Sequence, residues 1–327
     1  MQVFLLTLKV VALLLFYMAI GFVIGKKKIV GKDAAKTLAS LLTFVILPIY
    51  SVANLSKNVT IDKISLYGEL FLAGIVFMAV SLALCIPLSK LFVKKGYSRN
   101  IYKYLIFTSN LGYFGYPLVQ AVFGDVALSM YMIFTLPTSI AINTYGYLIL
   151  TDKSEEFAAD SGDFNEKGRN SDIVKRVFSA PMIGTFVGVA IGLLPFELPE
   201  VVYDFLTPAS DCMRAVAMIL AGLVLSEMSF KTLFVSKKAY LLCLLRLVIY
   251  PVVFGGIAYL LYKIGLSVEI FIFTVCVTAL PAGLNVVVFP EAIGMSGKEG
   301  AQACFISYVM AIVTLPLILL ATTAVIP

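Results

Sequence analysis

Long apolar stretches alternate with short polar connections along the whole chain. The stretches fall near residues 3–25, 36–55, 65–89, 100–123, 126–150, 177–195, 200–227, 238–262, 268–292 and 300–325. Each approaches or exceeds the ~20 residues that an α-helix needs to cross about 30 Å of hydrocarbon. The pattern therefore predicts an all-α integral membrane protein with ten transmembrane helices. The first stretch is too long for a signal-peptide core, ends in Lys26-Lys27-Lys28 and has no small-residue cleavage site after it. It is expected to stay as a membrane span.

Composition agrees with the pattern. Hydrophobic residues make up 61% of the 327 residues and charged ones 13%, against roughly 45–50% and about 25% in soluble domains. Mean hydropathy is +0.99. The net charge of +6 acquires its meaning from its distribution. The loops after spans 1, 3, 5, 7 and 9 hold 19 Lys and Arg residues, while the opposite loops hold only Lys57, Lys63 and Lys263. Basic loops are retained on the cytoplasmic side. The odd loops are thus expected in the cytoplasm and both termini outside, in a multi-pass cell-membrane protein. The surplus orients the chain in its lipid bilayer, and no nucleic-acid partner is expected.

Several chemistries drop out. There is no histidine, which removes Ser-His-Asp and Cys-His centres and histidine-ligated metals. Cys85, Cys212, Cys243, Cys276 and Cys304 are scattered singly through apolar segments and read as buried small hydrophobes. Neither a G-x-x-x-x-G-K-[ST] loop nor a G-x-G-x-x-G turn occurs, so no nucleotide cofactor is implied. Glu155-Glu156 lies in a polar linker. No enzyme, cofactor or metal is expected.

The polar stretch 151–176 divides the spans into five and five. The expected units are a first five-helix repeat at 1–150, a cytoplasmic linker at 151–176 and a second repeat at 177–327. With an odd number of spans per unit, equivalent helices cross in opposite directions. Short echoes support an inverted repeat: Ala19-Ile20-Gly21 matches Ala190-Ile191-Gly192, and Thr135-Leu136-Pro137 matches Thr314-Leu315-Pro316. Inverted repeats typify secondary transporters, whose substrates bind near the midplane at interrupted helices. Span 4 carries Asn110-Leu-Gly112-Tyr-Phe-Gly115-Tyr-Pro117, and span 9 carries Pro281-Ala-Gly283-Leu-Asn285, with Pro290 beyond. Glycine and proline weaken a helix there. A break frees amide N–H groups that lipid cannot satisfy, and these suit an anion. Asn110, Gly112, Gly115, Pro117, Pro281, Gly283 and Asn285 are therefore the candidate substrate-binding residues. Pro48 and Pro137 read as simple kinks.

Five charges fall within predicted spans: Lys9, Glu69, Asp211, Arg214 and Arg246. Each costs on the order of 3 kcal/mol to insert unless it pairs or meets water. Lys9 and Glu69 are near enough to span ends to snorkel. Asp211 and Arg214 share a helical face. They form either a self-neutralised structural pair or a functional one, with Arg214 for an anionic substrate and Asp211 for proton coupling. Arg246 could supplement either role.

The stretch Asn110-x-Gly112-x-x-Gly115-x-Pro117, followed by Ala121-Val-Phe-Gly124, resembles the fourth-helix motif of the auxin efflux carrier family. Leu47-Pro48, Pro281-Ala282 with Asn285, and Thr314-Leu315-Pro316 extend the resemblance over nearly the whole chain. That family includes plant auxin exporters and bacterial carriers of malonate, malate and related acids. The resemblance implies two inverted five-helix repeats with broken helices 4 and 9 crossing at their prolines. It also implies a scaffold group carrying the crossing helices, opposed by spans 1, 2, 6 and 7. Small carboxylates would bind at the crossover, at Asn110 and Asn285, and move by an elevator-like rocking. Pro117 maps onto the family's fourth-helix proline, and either Pro281 or Pro290 could mark the break in span 9. The polar pair in span 7 departs from the apolar helix that the resemblance implies. A carrier with possible H+ or Na+ coupling, and a possible homodimer, is the leading expectation. The competing class is a ligand-sensing or channel-like protein on the same scaffold.

Overall fold

A computed structural model describes residues 2–31, 33–151, 179–195, 198–229, 233–292, 295 and 297–326. Residues 152–176 of the expected linker lie outside these, as do Lys32 and Lys231. Among the described residues all regular structure is helical. Helix α1 is Gln2–Lys26, α2 is Ala34–Asn58 and α3 is Ile61–Phe92. The segment Tyr97–Leu150 follows. It is interrupted twice, which gives α4a (Tyr97–Phe107), α4b (111–123) and α5 (125–150). Then come α6 (Ala180–Gly192), α7 (Glu200–Ser226), α8 (Lys237–Lys263), α9a (Val268–Ala279), α9b (Asn285–Ala292) and α10 (Lys298–Ala324).

Seven described helical segments, counting 97–150 as one, are long and apolar enough to cross a membrane. The shortfall from ten has local causes. Spans 4 and 5 are joined through Gly124, whose φ of 87° and ψ of 176° make a corner that L side chains resist. Span 9 is cut into two short halves. Helix α6 has 13 residues, about 20 Å at 1.5 Å per residue, and is shorter than its apolar stretch.

Five prolines are absorbed without ending helices. Pro48, Pro117 and Pro251 each follow a π-helical turn, at Leu42–Ile46, Leu111–Gly115 and Leu245–Ile249. A widened turn relieves the clash between the pyrrolidine ring and the preceding carbonyl. Pro137 lies within α5, and Pro290 lies inside α9b. The non-helical stretch of span 9 is therefore 280–284, at Pro281.

Two groups of helices emerge from the packing. Helices α1 and α7 pack along each other, as do α2 and α6, and α7 also meets α2. Helices α3, α4, α5, α8, α9 and α10 form the other group, with α1 packing on α10 between the groups. The pairs in the first group approach at backbone distance. A Cβ on Gly222 would lie 2.0 Å from the Met18 carbonyl oxygen, and one on Gly21 would lie 2.1 Å from that of Ile219. Gly184 and Gly188 of α6 press likewise on Pro48 and Ser51 of α2. Small residues four apart are how helices gain contact where lipid supplies no hydrophobic drive. An aromatic core fills the second group, where Phe134 of α5 and Phe77 of α3 sit 5.9 Å apart and Tyr131 meets Phe273 of α9a edge-on at 5.7 Å. Large apolar side chains such as Phe44, Leu72, Val76 and Val252 point outward, as a lipid-facing belt requires.

Lys9 is exposed. Glu69 does more than snorkel: its carboxylate accepts the Ser267 N–H at 2.9 Å, just before α9a begins. An acid at a helix N-terminus satisfies an orphan amide and meets the positive end of the dipole.

Candidate functional site

Helix α4a ends because Thr108 is extended (φ −135°, ψ 162°), and α9a ends because Leu280 is extended (φ −66°, ψ 147°). The two interruptions lie against each other and satisfy one another. The Asn110 N–H donates to the Pro281 carbonyl at 2.9 Å, and the Ser109 hydroxyl donates to the Val277 carbonyl at 2.8 Å. Helix α10 supports them from behind, where the Ser307 hydroxyl accepts the Ala282 N–H at 3.0 Å. Unpaired backbone groups in an apolar interior are costly, so the reciprocal pairing lets both helices break at one place.

Asn110 organises this crossing. Its side-chain oxygen accepts the Phe114 N–H at 3.3 Å and so caps α4b, while its amide donates to the Tyr308 hydroxyl at 2.7 Å. Gly115 sits where a Cβ would lie 2.7 Å from the Tyr131 hydroxyl and 2.8 Å from Leu280. Gly283 faces the Ser109 carbonyl, with 3.1 Å for any Cβ. These two glycines let the interruptions touch.

A cavity of about 170 Å³ opens beside the crossing. Asn110, Gly112, Gly283 and Asn285 border it, together with Thr43 and Ser51 of α2, Ser139 and Asn143 of α5, and Thr185 of α6. Among the described residues, none that lines it is charged. Both half-helices that start at the crossing, α4b and α9b, present their N-termini here. Such termini carry partial positive charge, while the amides of Leu111, Phe114, Val286 and Val287 already have partners. Asn285 is half-buried, and its side chain lies within hydrogen-bonding reach of the Tyr104 hydroxyl.

Three of the seven predicted substrate-binding residues, and all three charged candidates, do not border this cavity. Gly115 and Pro281 lie behind it in the crossing, Pro281 serving through its carbonyl. Pro117 faces a second cavity, with Asp211 and Arg214. Arg246 borders neither. It is 7% exposed, its Nη1 donates to the Ile106 carbonyl at 2.9 Å, and its guanidinium lies 5.4 Å from the Tyr250 ring centre. Ile106 is one residue from the end of α4a, where the helix dipole is negative. Arg246 thus offsets the negative helix end nearest the cavity.

A family model described as a membrane transport protein matches residues 6–319. The chain belongs to this family, the auxin efflux carriers. A curated relative, an uncharacterized transporter of Methanothermobacter thermautotrophicus, is 28% identical over 212 residues. That similarity spans 64% of this chain and 63% of the relative. Auxin efflux carrier family membership and the long apolar helical segments make the protein a multi-pass membrane protein.

Sequence reasoning missed the hydroxyl and amide groups that this family member brings to the cavity from outside the crossing, Thr43, Ser51, Ser139, Asn143 and Thr185. The available signal was their polarity within otherwise apolar spans. Isolated Ser and Thr also bond their own helix, as Thr185 does to the Pro181 carbonyl at 2.9 Å, so polarity alone does not single them out.

Proposed function

We propose that the protein is a secondary carrier of a small organic anion, a mono- or dicarboxylate, bound where α4 and α9 cross. One observation carries the reading. Two half-helix N-termini, with Asn110 and Asn285, converge on a largely apolar cavity with a few hydroxyl and amide groups and, among the described residues, no charged one, between the two helix groups. Preorganised N–H dipoles attract an anion, and without a full countercharge they also let it go. A volume of about 170 Å³ falls below the roughly 300–1,000 Å³ of drug-sized sites, which favours an acid of a few carbon atoms.

We infer the rest of the mechanism from the arrangement. Residues 1–150 and 177–327 are read as inverted repeats, in the cell membrane, with odd loops cytoplasmic and both termini outside. The cavity is bordered by the first half of α2, the last third of α5 and the start of α6, all on the odd-loop side, so it faces the cytoplasm in that orientation. The group carrying the crossing then slides against α1, α2, α6 and α7 in an elevator-like step to expose the anion outside. H+ or Na+ is the candidate coupling ion and a homodimer the candidate assembly. A channel or sensor on this scaffold is the alternative.

Purified protein in liposomes is expected to take up labelled acetate, lactate, malonate or malate saturably, with imposed pH and sodium gradients identifying the coupling ion. Unitary currents, or flux of none of these acids, would overturn the reading. Arg246→Leu is expected to raise KM several-fold by restoring the negative end of α4a near the anion, and Arg246→Lys to recover most of the loss. Flux kinetics on the three proteins check this.

A further inference from the structure

On the far side of the crossing from the central cavity lies a second one, of about 200 Å³, walled by α1, α2, α4b and α7. Leu13, Tyr17, Tyr50, Gln120, Asp211 and Arg214 border it. It sits toward the even-loop side, because Gln120 bonds Asp125 across the Gly124 corner at 2.9 Å. Its inner wall is a tyrosine pair. Tyr50 stacks on Tyr116 with ring centres 6.0 Å apart and planes at 4°, and Tyr116 borders the central cavity on its other side. The Tyr50 hydroxyl donates to the Gln120 side-chain oxygen at 3.0 Å, which pins the pair.

Asp211 and Arg214 share this cavity but form no ion pair, and no other acidic group among the described residues pairs with Arg214. A half-buried guanidinium in a membrane helix without a partner is held at a cost unless water or a ligand compensates it. Helix α7 enters from the even-loop side, so exposed Asp211 lies near the mouth and half-buried Arg214 one turn deeper. A carboxylate reaching the floor would meet the planar fork of Arg214, which suits bidentate binding, and the Tyr17 hydroxyl. Tyr50 and Gln120 already bond each other.

We propose that this cavity is a second anion site, an anteroom in which Arg214 holds a carboxylate outside the Tyr50–Tyr116 pair before it reaches the crossing. The choice of a carboxylate rests on the carrier reading above, and Arg214 determines occupancy while Asp211 at the mouth opposes it.

The chain has no tryptophan, so a Leu13→Trp variant of the full protein reports on this cavity alone. Titration with malonate at constant ionic strength in detergent micelles is expected to change its fluorescence saturably. Arg214→Gln in that background should raise the midpoint at least tenfold, Arg214→Lys should fall between, and Asp211→Asn should lower the midpoint. Asn285→Ala should leave it in place. The proposal is overturned if malonate gives no saturable change, if a folded Arg214→Gln protein titrates like the parent, or if the midpoint follows Asn285→Ala. A response to sodium that Asp211→Asn abolishes would also overturn it, by assigning the cavity to a cation. Failure of carboxylate flux in liposomes with this titration intact would reject the carrier reading and keep the site. Flux with no titration would do the reverse.

Discussion

Asn110→Ala is expected to abolish transport and lower thermal stability together, whereas Asn285→Ala is expected to damage transport alone. The two asparagines occupy matching places in the sequence and unlike places in the structure. Asn110 is 3% exposed and ties the α4b amide of Phe114 to Tyr308 of α10. Truncation strands two buried polar groups, at about 1–3 kcal/mol each, and releases the cap that starts α4b. Asn285 is half-buried at the cavity, and its amide turns toward Tyr104 and the open space. Its loss should raise KM tenfold or more with a melting temperature near that of the parent. Uptake kinetics in liposomes and thermal unfolding followed by circular dichroism separate the two effects. An Asn285→Ala protein with the parental KM would remove that residue from the proposed site. An Asn110→Ala protein that melts like the parent would remove Asn110 from its structural role.

That asymmetry also marks how far the sequence could be read. Helix positions followed from hydrophobicity because a bilayer demands long apolar runs with internally satisfied backbones. Both interruptions were legible from clusters of Asn, Gly and Pro. Their registers were not. The chain leaves the helix at Thr108, nine residues before Pro117, because the Asn110 N–H finds the Pro281 carbonyl and the Ser109 hydroxyl finds that of Val277. Those partners are distant in sequence, and a π turn removes the strain that proline alone would create. The partners of the charges were not legible for a related reason. Helical spacing put Asp211 and Arg214 on one face, and the structure gives them one cavity without joining them. Glu69 was read by depth alone, yet it finds the Ser267 amide, 198 positions away. Pattern reports what a segment must do with lipid, and tertiary contact decides what each polar atom does with its neighbours.

The other large expected effect concerns rigidity. Gly222→Val should destabilise the protein strongly and suppress flux, because no side-chain rotation can make room. The nearest atoms to a Cβ at 222 are backbone: the Met18 oxygen at 2.0 Å and the Phe22 nitrogen at 2.6 Å. Helices α1 and α7 would have to separate, and overpacking of this kind costs typically about 1–3 kcal/mol, occasionally more. Gly188→Val should act similarly on α2 and α6, since Ser51 and Leu55 lie 2.9 Å from its Cβ position. Gly68 and Gly256, with nothing within 4 Å, are the controls. Alanine there should be neutral or stabilising by up to about 1 kcal/mol, through helix propensity. Thermal unfolding in micelles checks all four. The contrast bears on mechanism, because an elevator needs one group of helices to stay fixed while the other slides. If Gly222→Val and Gly188→Val melted like the controls, α1 with α7 and α2 with α6 would not be the locked pairs that such a step requires.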